Sequence, residues 1–389
     1  MNSEPDDGSA PRRGALGPRW RRGLLALAVV AIVAVVVVVV DARRSGRLEP
    51  SPTCEDVEPG GTRFRSPLPP GTEPAEPAPP AEDSPARVDP AFRPADAEPV
   101  YCEDFADPFV LSTGAAVGTR IFAYATNTSD SVLPVLSTGS LLRSEEIDDA
   151  LAELPEWSEP GAVWAPSVLE RDDGGLVLYY TTTHRESGLQ CISRAVADDP
   201  LGPFVDLSTG PIVCPADLGG AIDPSPFVTD DGTAYLLWKN DGNCCDILTR
   251  IWIQRLSDDR EEVTGEPSEL VAADQRWEGG VVEGPSMVEH DGRFHLFYSA
   301  NAWDTAAYAI GHARCEAPAG PCTKSGTTPW LASSEGVRGP GGQELFDDGD
   351  ELQMVFHAWP GEVGYDAGGF RSLFTTGIDF VDGDPVVVE

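Results

Sequence analysis

Lysine is nearly missing from this chain of 389 residues: Lys239 and Lys324 are its only two, against 64 Asp and Glu. Arginine supplies the other 25 cations, and the formal net charge is −37 at pH 7. The charge is uneven. Residues 1–50 hold eight Arg and five acidic residues, so the rest of the chain carries about −40. So acidic a surface repels phosphate backbones and anionic headgroups, which excludes nucleic acid as a partner. Histidine is scarce too, with five residues, and no Cys-x-x-Cys pair occurs among the eight cysteines. Those shortages argue against a zinc site. The third absence is helical patterning: beyond residue 100 no long segment carries a 3.6-residue apolar period.

One long hydrophobic run is present. Gly23–Val40 (GLLALAVVAIVAVVVVVV) is 18 uncharged residues, roughly 27 Å as a helix, close to the ~30 Å hydrocarbon core of a bilayer. Five arginines precede it and three follow. The positive-inside rule then places residues 1–22 as a basic cytoplasmic tail, 23–40 as a single-pass transmembrane anchor, and the remainder outside the cell membrane. A cleaved signal peptide and secretion are the alternative, disfavoured by the length of the run and by Val-Val-Asp-Ala-Arg-Arg where a cleavage site would need small residues. Residues 41–99 read as a Pro/Ala/Glu-rich disordered linker, with 14 of the 36 prolines between 48 and 99. Local cysteine pairs, Cys191 with Cys214 and Cys315 with Cys322, fit disulfides in an exported protein. Cys54 could pair with Cys102, and the adjacent Cys244 and Cys245 receive no assignment.

From about residue 100 short alternating runs are separated by Gly, Asp and Asn turns, the texture of an all-β domain. Five segments repeat one pattern, a Pro or Gly element, a strand, an acidic Asp/Gly turn and an aromatic strand: ADPFVLSTGAAVGTRIFAYATN, WAPSVLERDDGGLVLYYTTT, DPSPFVTDDGTAYLLWKND, EGPSMVEHDGRFHLFYSAN and GGQELFDDGDELQMVFHAW. The prolines Pro108, Pro166, Pro226 and Pro285 are spaced by 58, 60 and 59 residues, and the fifth unit keeps the turn without the proline. A unit of this length suits a four-stranded sheet, and five in a ring make a five-bladed β-propeller over 100–389. Two packed sandwiches are the alternative, but they leave a fivefold spacing unexplained. Before the first strands stand Asp107, Asp223 and Glu283 in units one, three and four, Trp164-Ala165 in unit two and Gly342-Gln343 in unit five. A propeller brings such positions together at its axis. Like charges gathered there are costly as mere turn residues, and acid–base hydrolysis of a glycoside needs such a set.

The ordered motifs ADPFV, WAPSV, IDPSPF and VEGPSM, with YAIGHARCEAPAGPC (308–322) and GPGGQELF (339–346), closely resemble glycoside hydrolase family 43, five-bladed propellers acting on arabinose- and xylose-containing glycans. The resemblance covers essentially all of 100–389. It implies an inverting enzyme in which Asp107 is the general base, Glu283 the general acid and Asp223 the group that tunes and orients Glu283, with the Asp107 and Glu283 carboxyls about 6.5–9.5 Å apart. The chemistry needs no cofactor. An oligo- or polysaccharide is the expected substrate, through α-L-arabinofuranosyl or β-xylosyl linkages, and the propeller is expected to be monomeric. Trp164 is positioned to stack on a sugar and Arg371 to bond its hydroxyls, while a core ring and an internal ion pair are their bland readings. Trp238, Trp303 and Trp359 read as core or rim. Many family members carry a blade-five histidine associated with an axial metal; here Gln343 stands there, and His357 is the substitute that a structural calcium would use. The sequon at Asn127 is read as chance. Two other functions fit less well: a retaining fructan-hydrolysing propeller, which would show Asn-Asp-Pro and Glu-Cys, and a propeller that binds envelope glycan without cleaving it.

Overall fold

The structure is a computed structural model, and it describes residues 99–113, 120–138, 146–347 and 351–388. The expected anchor, the linker and Cys54 lie outside these residues. Among those described, no helix is long and apolar enough to cross a membrane.

Five antiparallel sheets follow one another along the chain. Four have four strands in simple up-and-down order, covering 109–149, 221–272, 282–324 and 338–388, and the sheet at 158–197 has three. The outer edge of that second sheet is met by isolated bridges, Val196 to Val205 and Ile192 to Val213. The leading strands of the five sheets, Phe109–Thr113, Ser158–Glu170, Ala221–Val228, Val282–His290 and Arg338–Asp347, touch in sequence, and the fifth returns to the first. The sheets are therefore blades of a closed five-bladed propeller, as the repeat spacing requires.

Strand periodicity explains the closure. Alternate side chains of a strand point to opposite faces, so each blade has two apolar faces to bury. Leu176, Leu178 and Tyr180 pack toward blade one with Phe122 and Tyr124, whereas Val177 and Tyr179 of the same strand pack toward blade three with Leu236 and Trp238. Blade three in turn sends Leu237 and Ile253 against Met287 and Leu296 of blade four. Phe297 and Ile310 meet Met354 and Phe356 of blade five. Val355 and Leu373 complete the ring against Val110 and Ile121 of blade one. Trp238 and Trp359 are core residues, as expected. The acidic turns form two-residue hairpins at Asp291-Gly292 and Asp382-Gly383, where both residues hold positive φ, the geometry that Asp-Gly favours.

Each blade enters the axis through one residue in the left-handed region: Asp107 (φ 50°), Ala165 (φ 44°), Asp223 (φ 56°), Gly284 (φ 51°) and Gly342 (φ 56°). In blades two to five this residue sits at a break in strand register. The equivalent prolines are thus Pro108, Pro166, Pro224 and Pro285, and the alignment of Pro226 is corrected by two residues. Pro224 directly follows the left-handed residue, as Pro108, Pro166 and Pro285 do. Glu283 also moves: it precedes the left-handed Gly284 and matches Ala106, Trp164, Ile222 and Gly341 rather than the two aspartates.

Cys191–Cys214 and Cys315–Cys322 are disulfides, and Cys244 is bonded to its neighbour Cys245. Cys102 is disulfide-bonded as well. Asn127 is buried, with its Oδ1 accepting from the Val163 N–H at 3.1 Å, so its sequon serves packing.

At the axis Glu344 joins three blades. Its carboxyl takes hydrogen bonds from Ser286 Oγ at 3.0 Å and Ser225 Oγ at 3.3 Å, and burial pushes its pKa up from 4.5 to about 8. The folded protein holds this proton where the unfolded chain has released it, so stability falls as pH rises from about 4.5 to about 8. Glu344→Gln has no proton to lose. Its melting temperature, relative to the wild type, should climb across that interval and level off above it. A constant difference would contradict the buried, protonated state.

Candidate active site

The five left-handed residues all line one pocket of about 440 Å³ at the axis, together with Glu283. Asp107, Asp223 and Glu283, brought from blades one, three and four, thus face the same space, as the repeat predicted. Each is half-buried.

The preceding or following blade holds each carboxylate in place. The backbone N–H of Asp107 donates to His357 Nδ1 at 3.0 Å, and Thr126 Oγ1 donates to Asp107 Oδ2 at 2.6 Å. Thr126 in turn accepts the N–H of Ala165 at 3.0 Å, tying blade one to blade two. The N–H of Asp223 donates to Thr181 Oγ1 at 3.2 Å. Asp223 Oδ2 accepts the Gly284 N–H at 2.8 Å, which sets its carboxyl beside Glu283. At Gly342 an added Cβ would lie 2.5 Å from His357 Nδ1 and 2.9 Å from Asp107 Oδ1, so only glycine fits.

Glu283 has two donors. Tyr308 OH reaches Oε1 at 2.7 Å, and Lys239 Nζ reaches Oε2 at 3.0 Å. Lys239 is fully buried; its ammonium also donates to Asn243 Oδ1 at 2.6 Å and lies 3.9 Å from Asp241. Burial opposes its charge, but Glu283, Asp241 and Asp223 outweigh that cost and raise its pKa. Asp223 is raised too, which in a carboxyl favours the neutral form: burial and repulsion from Glu283 push it to about 7. The Asp223–Glu283 pair therefore retains a proton into the neutral range. The arrangement offers a held proton, a cation to receive the charge left when it departs, and a separate carboxylate, Asp107.

Arg371 lies on the Asp107 side. Its Nη1 is 3.7 Å from Asp107 Oδ1, its Nε donates to Tyr365 OH at 3.1 Å, and the guanidinium lies 4.8 Å from the Trp303 ring centre. Asp104 accepts both the Arg371 N–H and the Tyr365 hydroxyl at 3.0 Å. Arg371 is thus an internally paired residue that also lines the pocket. Trp164 and Trp303, both half-buried, line the pocket as well. Gln343, at the expected histidine position, is buried and bridges Ser299 Oγ (2.7 Å) to the Gly284 carbonyl (2.5 Å).

His357 does not fit a calcium site. Its Nδ1 accepts the Asp107 N–H, so the neutral ring carries its proton on Nε2 and has no lone pair to offer a cation. Burial and the nearby Arg371 hold it neutral, well below the ordinary pKa of 6.5. Among the described residues no cluster of three His, Cys, Asp or Glu side chains could hold a metal.

Lys239, Asn243, Tyr308 and Glu344 escaped the sequence reading. Lys239 reaches the pocket from a second strand, Asn243 and Tyr308 from loops, and Glu344 from the leading strand of blade five, where direction depends on register. The one available signal was the rarity of lysine.

A closed five-bladed propeller with an acid–base cluster in its axial pocket is the class this fold and site define. Residues 97–385 match the family described as Glycosyl hydrolases family 43, and the chain belongs to that family and is a glycoside hydrolase. Among its relatives, the Aspergillus niger protein named arabinan endo-1,5-alpha-L-arabinosidase A is 27% identical over 303 residues, covering 72% of this chain and 86% of that protein. The A. niger protein named beta-D-galactofuranosidase xynD is 24% identical over 211 residues, covering 52% of this chain and 58% of that one. The crystal structure of a thermostable family-43 glycoside hydrolase superimposes with a TM-score of 0.63 at 27% identity, covering 74% of this chain and 93% of the other.

The titration of Asp223 near pH 7 should be visible in catalysis. A pH–rate profile of the wild type is expected to show a limb with an apparent pKa of about 7 that vanishes in Asp223→Asn, with kcat lower by roughly 100-fold or more. Persistence of that limb in the variant would remove Asp223 from the proton-holding pair.

Proposed function

We propose that the protein is an inverting hydrolase of arabinose- or xylose-containing glycans, acting on α-L-arabinofuranosyl or β-xylosyl linkages. The observation that carries this reading is the meeting of Asp107, Asp223 and Glu283 in one pocket, each from a different blade. Asp107 is the general base that takes a proton from the attacking water. Glu283 is the general acid that delivers a proton to the departing sugar oxygen, as inversion with two carboxyl groups requires. Asp223 orients Glu283 through the Gly284 amide and keeps a proton within the pair. As that proton leaves, Lys239 and Tyr308 stabilise the charge that appears on Glu283. Trp164 and Arg371 contact the sugar from the pocket wall.

The arabinan-cleaving name of one relative supports the arabinofuranosyl substrate, and the galactofuranosidase name of another points to the same furanose ring type. The domain plan belongs to the proposal too: a cytoplasmic tail at 1–22, an anchor at 23–40, a linker at 41–99 and a monomeric catalytic propeller at 100–389, outside the cell membrane.

The test uses the full chain in detergent or vesicles with aryl α-L-arabinofuranoside, aryl β-D-xyloside, linear arabinan and arabinoxylan. Wild type should release sugar from at least one of them. Glu283→Ala and Asp107→Ala should lose roughly 1,000-fold or more in kcat/KM while still binding the substrate. Equal activity in wild type and both variants, or none in a folded wild type, would overturn the reading.

A further inference from the structure

The rim of the pocket beside Glu283 is built by a short loop of blade three, Gly242–Cys244. Its Cys244 is bonded to Cys245, the next residue in the chain. Cys244 is half-buried and lines the pocket, while Cys245 is exposed. A disulfide between neighbours closes a small ring through their shared peptide bond, so both residues lose backbone freedom. The loop is fastened around that ring. The N–H groups of Cys245 and Ile247 both donate to the Gly242 carbonyl at 2.9 Å. Asn240 Nδ2 reaches the carbonyls of Leu218 and Leu248 at 3.2 Å, and the Cys244 sulfur contacts the Gly219 carbonyl at 3.7 Å. Gly219 and Gly242 have no room for a Cβ, which would lie 2.7 and 2.4 Å from backbone oxygens. The loop is a rigid wall.

Its position relative to the carboxylates gives it a side. Asp107 is held by His357 and Arg371 from blade five, whereas the loop supplies Asn243 to Lys239, the cation on Glu283. In the proposed reaction Glu283 meets the oxygen of the departing sugar and Asp107 meets water on the opposite face. The wall nearest Glu283 therefore borders the leaving group. A disulfide is an apolar, polarisable surface without a strong donor, which matches the C–H face of a sugar ring and leaves its hydroxyls to Asn243 and solvent.

Resting on the reading above, we infer that the Cys244–Cys245 disulfide is a specificity-determining element: a fixed apolar platform for the sugar on the leaving-group side of the scissile bond. It selects glycans over substrates that end at the cleaved linkage, and it takes no part in proton transfer.

Two measurements test this. In Cys244→Ser/Cys245→Ser, KM for α-1,5-arabinotriose or xylotriose, whichever the wild type cleaves, should rise by about tenfold with kcat within about twofold. Inhibition by the free monosaccharide, which occupies the other side, should stay unchanged. An unaltered KM, or an equal loss of monosaccharide and trisaccharide binding, would overturn the inference. The second measurement needs no cysteine variant. In Glu283→Gln, reduction of the Cys244–Cys245 bond by a water-soluble phosphine, followed by mass spectrometry, should be slowed by about fivefold or more by the trisaccharide and not by the monosaccharide. Hydrolysis of the trisaccharide by the wild type without such protection defeats the disulfide's role alone. Absence of both hydrolysis and protection defeats the substrate reading, and this inference with it.

Discussion

Every blade of this propeller reaches its axis through a residue held at positive φ. For an L-residue that conformation is restricted, tolerated best by Gly and next by Asp or Asn. The constraint fixes what can stand at the axis: glycine in two blades, aspartate in two, and one alanine, Ala165. It also sets direction. In blades two to five a register break accompanies the left-handed residue, and all five of these residues line the pocket. In the proposed reaction the aspartates are thus structural and chemical at once, since a short polar side chain is what the backbone accepts there and what proton transfer needs. Glu283 is the exception. It stands one residue earlier in ordinary strand geometry, and the left-handed position beside it is given to Gly284.

Carboxylates gathered or buried in a fold create a charge that must be answered, and each of the two lysines of this acidic chain is placed against such a group, Lys239 at the axial pocket and Lys324 away from it. Lys239 sits among Glu283, Asp241 and Asn243. Lys324 bridges Glu278 at 2.5 Å and Asp274 at 2.6 Å, with the fully buried Glu278 also taking the Tyr298 hydroxyl at 3.0 Å. A buried carboxylate left without its cation costs several times what a surface pair contributes. The Lys324 cluster fastens blade four to the chain leaving blade three. The Lys239 cluster does the same for the pocket, joining strand, loop and the acid of the next blade. Glu344, at the axis, avoids the problem by holding its proton, its pKa pushed up to about 8 by burial.

Much of this was legible in the chain. The repeat of strand, acidic turn and aromatic strand gave five blades, because a blade is a local hairpin structure whose turns are written in Asp and Gly. Asp107 and Asp223 were legible because the same position recurs. The register of blade three was not: Pro224 and Pro226 are two residues apart and share strand parity, so only the φ at Asp223 separates them. Tyr308, Lys239 and Asn243 were hidden for a related reason. Lys239 lies in the third repeated segment, Tyr308 at the head of the 308–322 motif and Asn243 in a loop, and nothing local states which side chains there meet the axis. His357 carried the opposite lesson. A lone strand histidine invited a metal, whereas its Nδ1 serves as an acceptor for the Asp107 backbone.

The central claim is that Asp107 and Glu283 work from opposite faces of the sugar, one on water and one on the departing oxygen. Proton NMR of the first product formed, recorded before mutarotation, tests it most directly. An α-L-arabinofuranoside should release the β-anomer first, and a β-D-xyloside the α-anomer. Initial release of the anomer already present in the substrate would show retention through a covalent intermediate and would contradict the roles assigned to both residues.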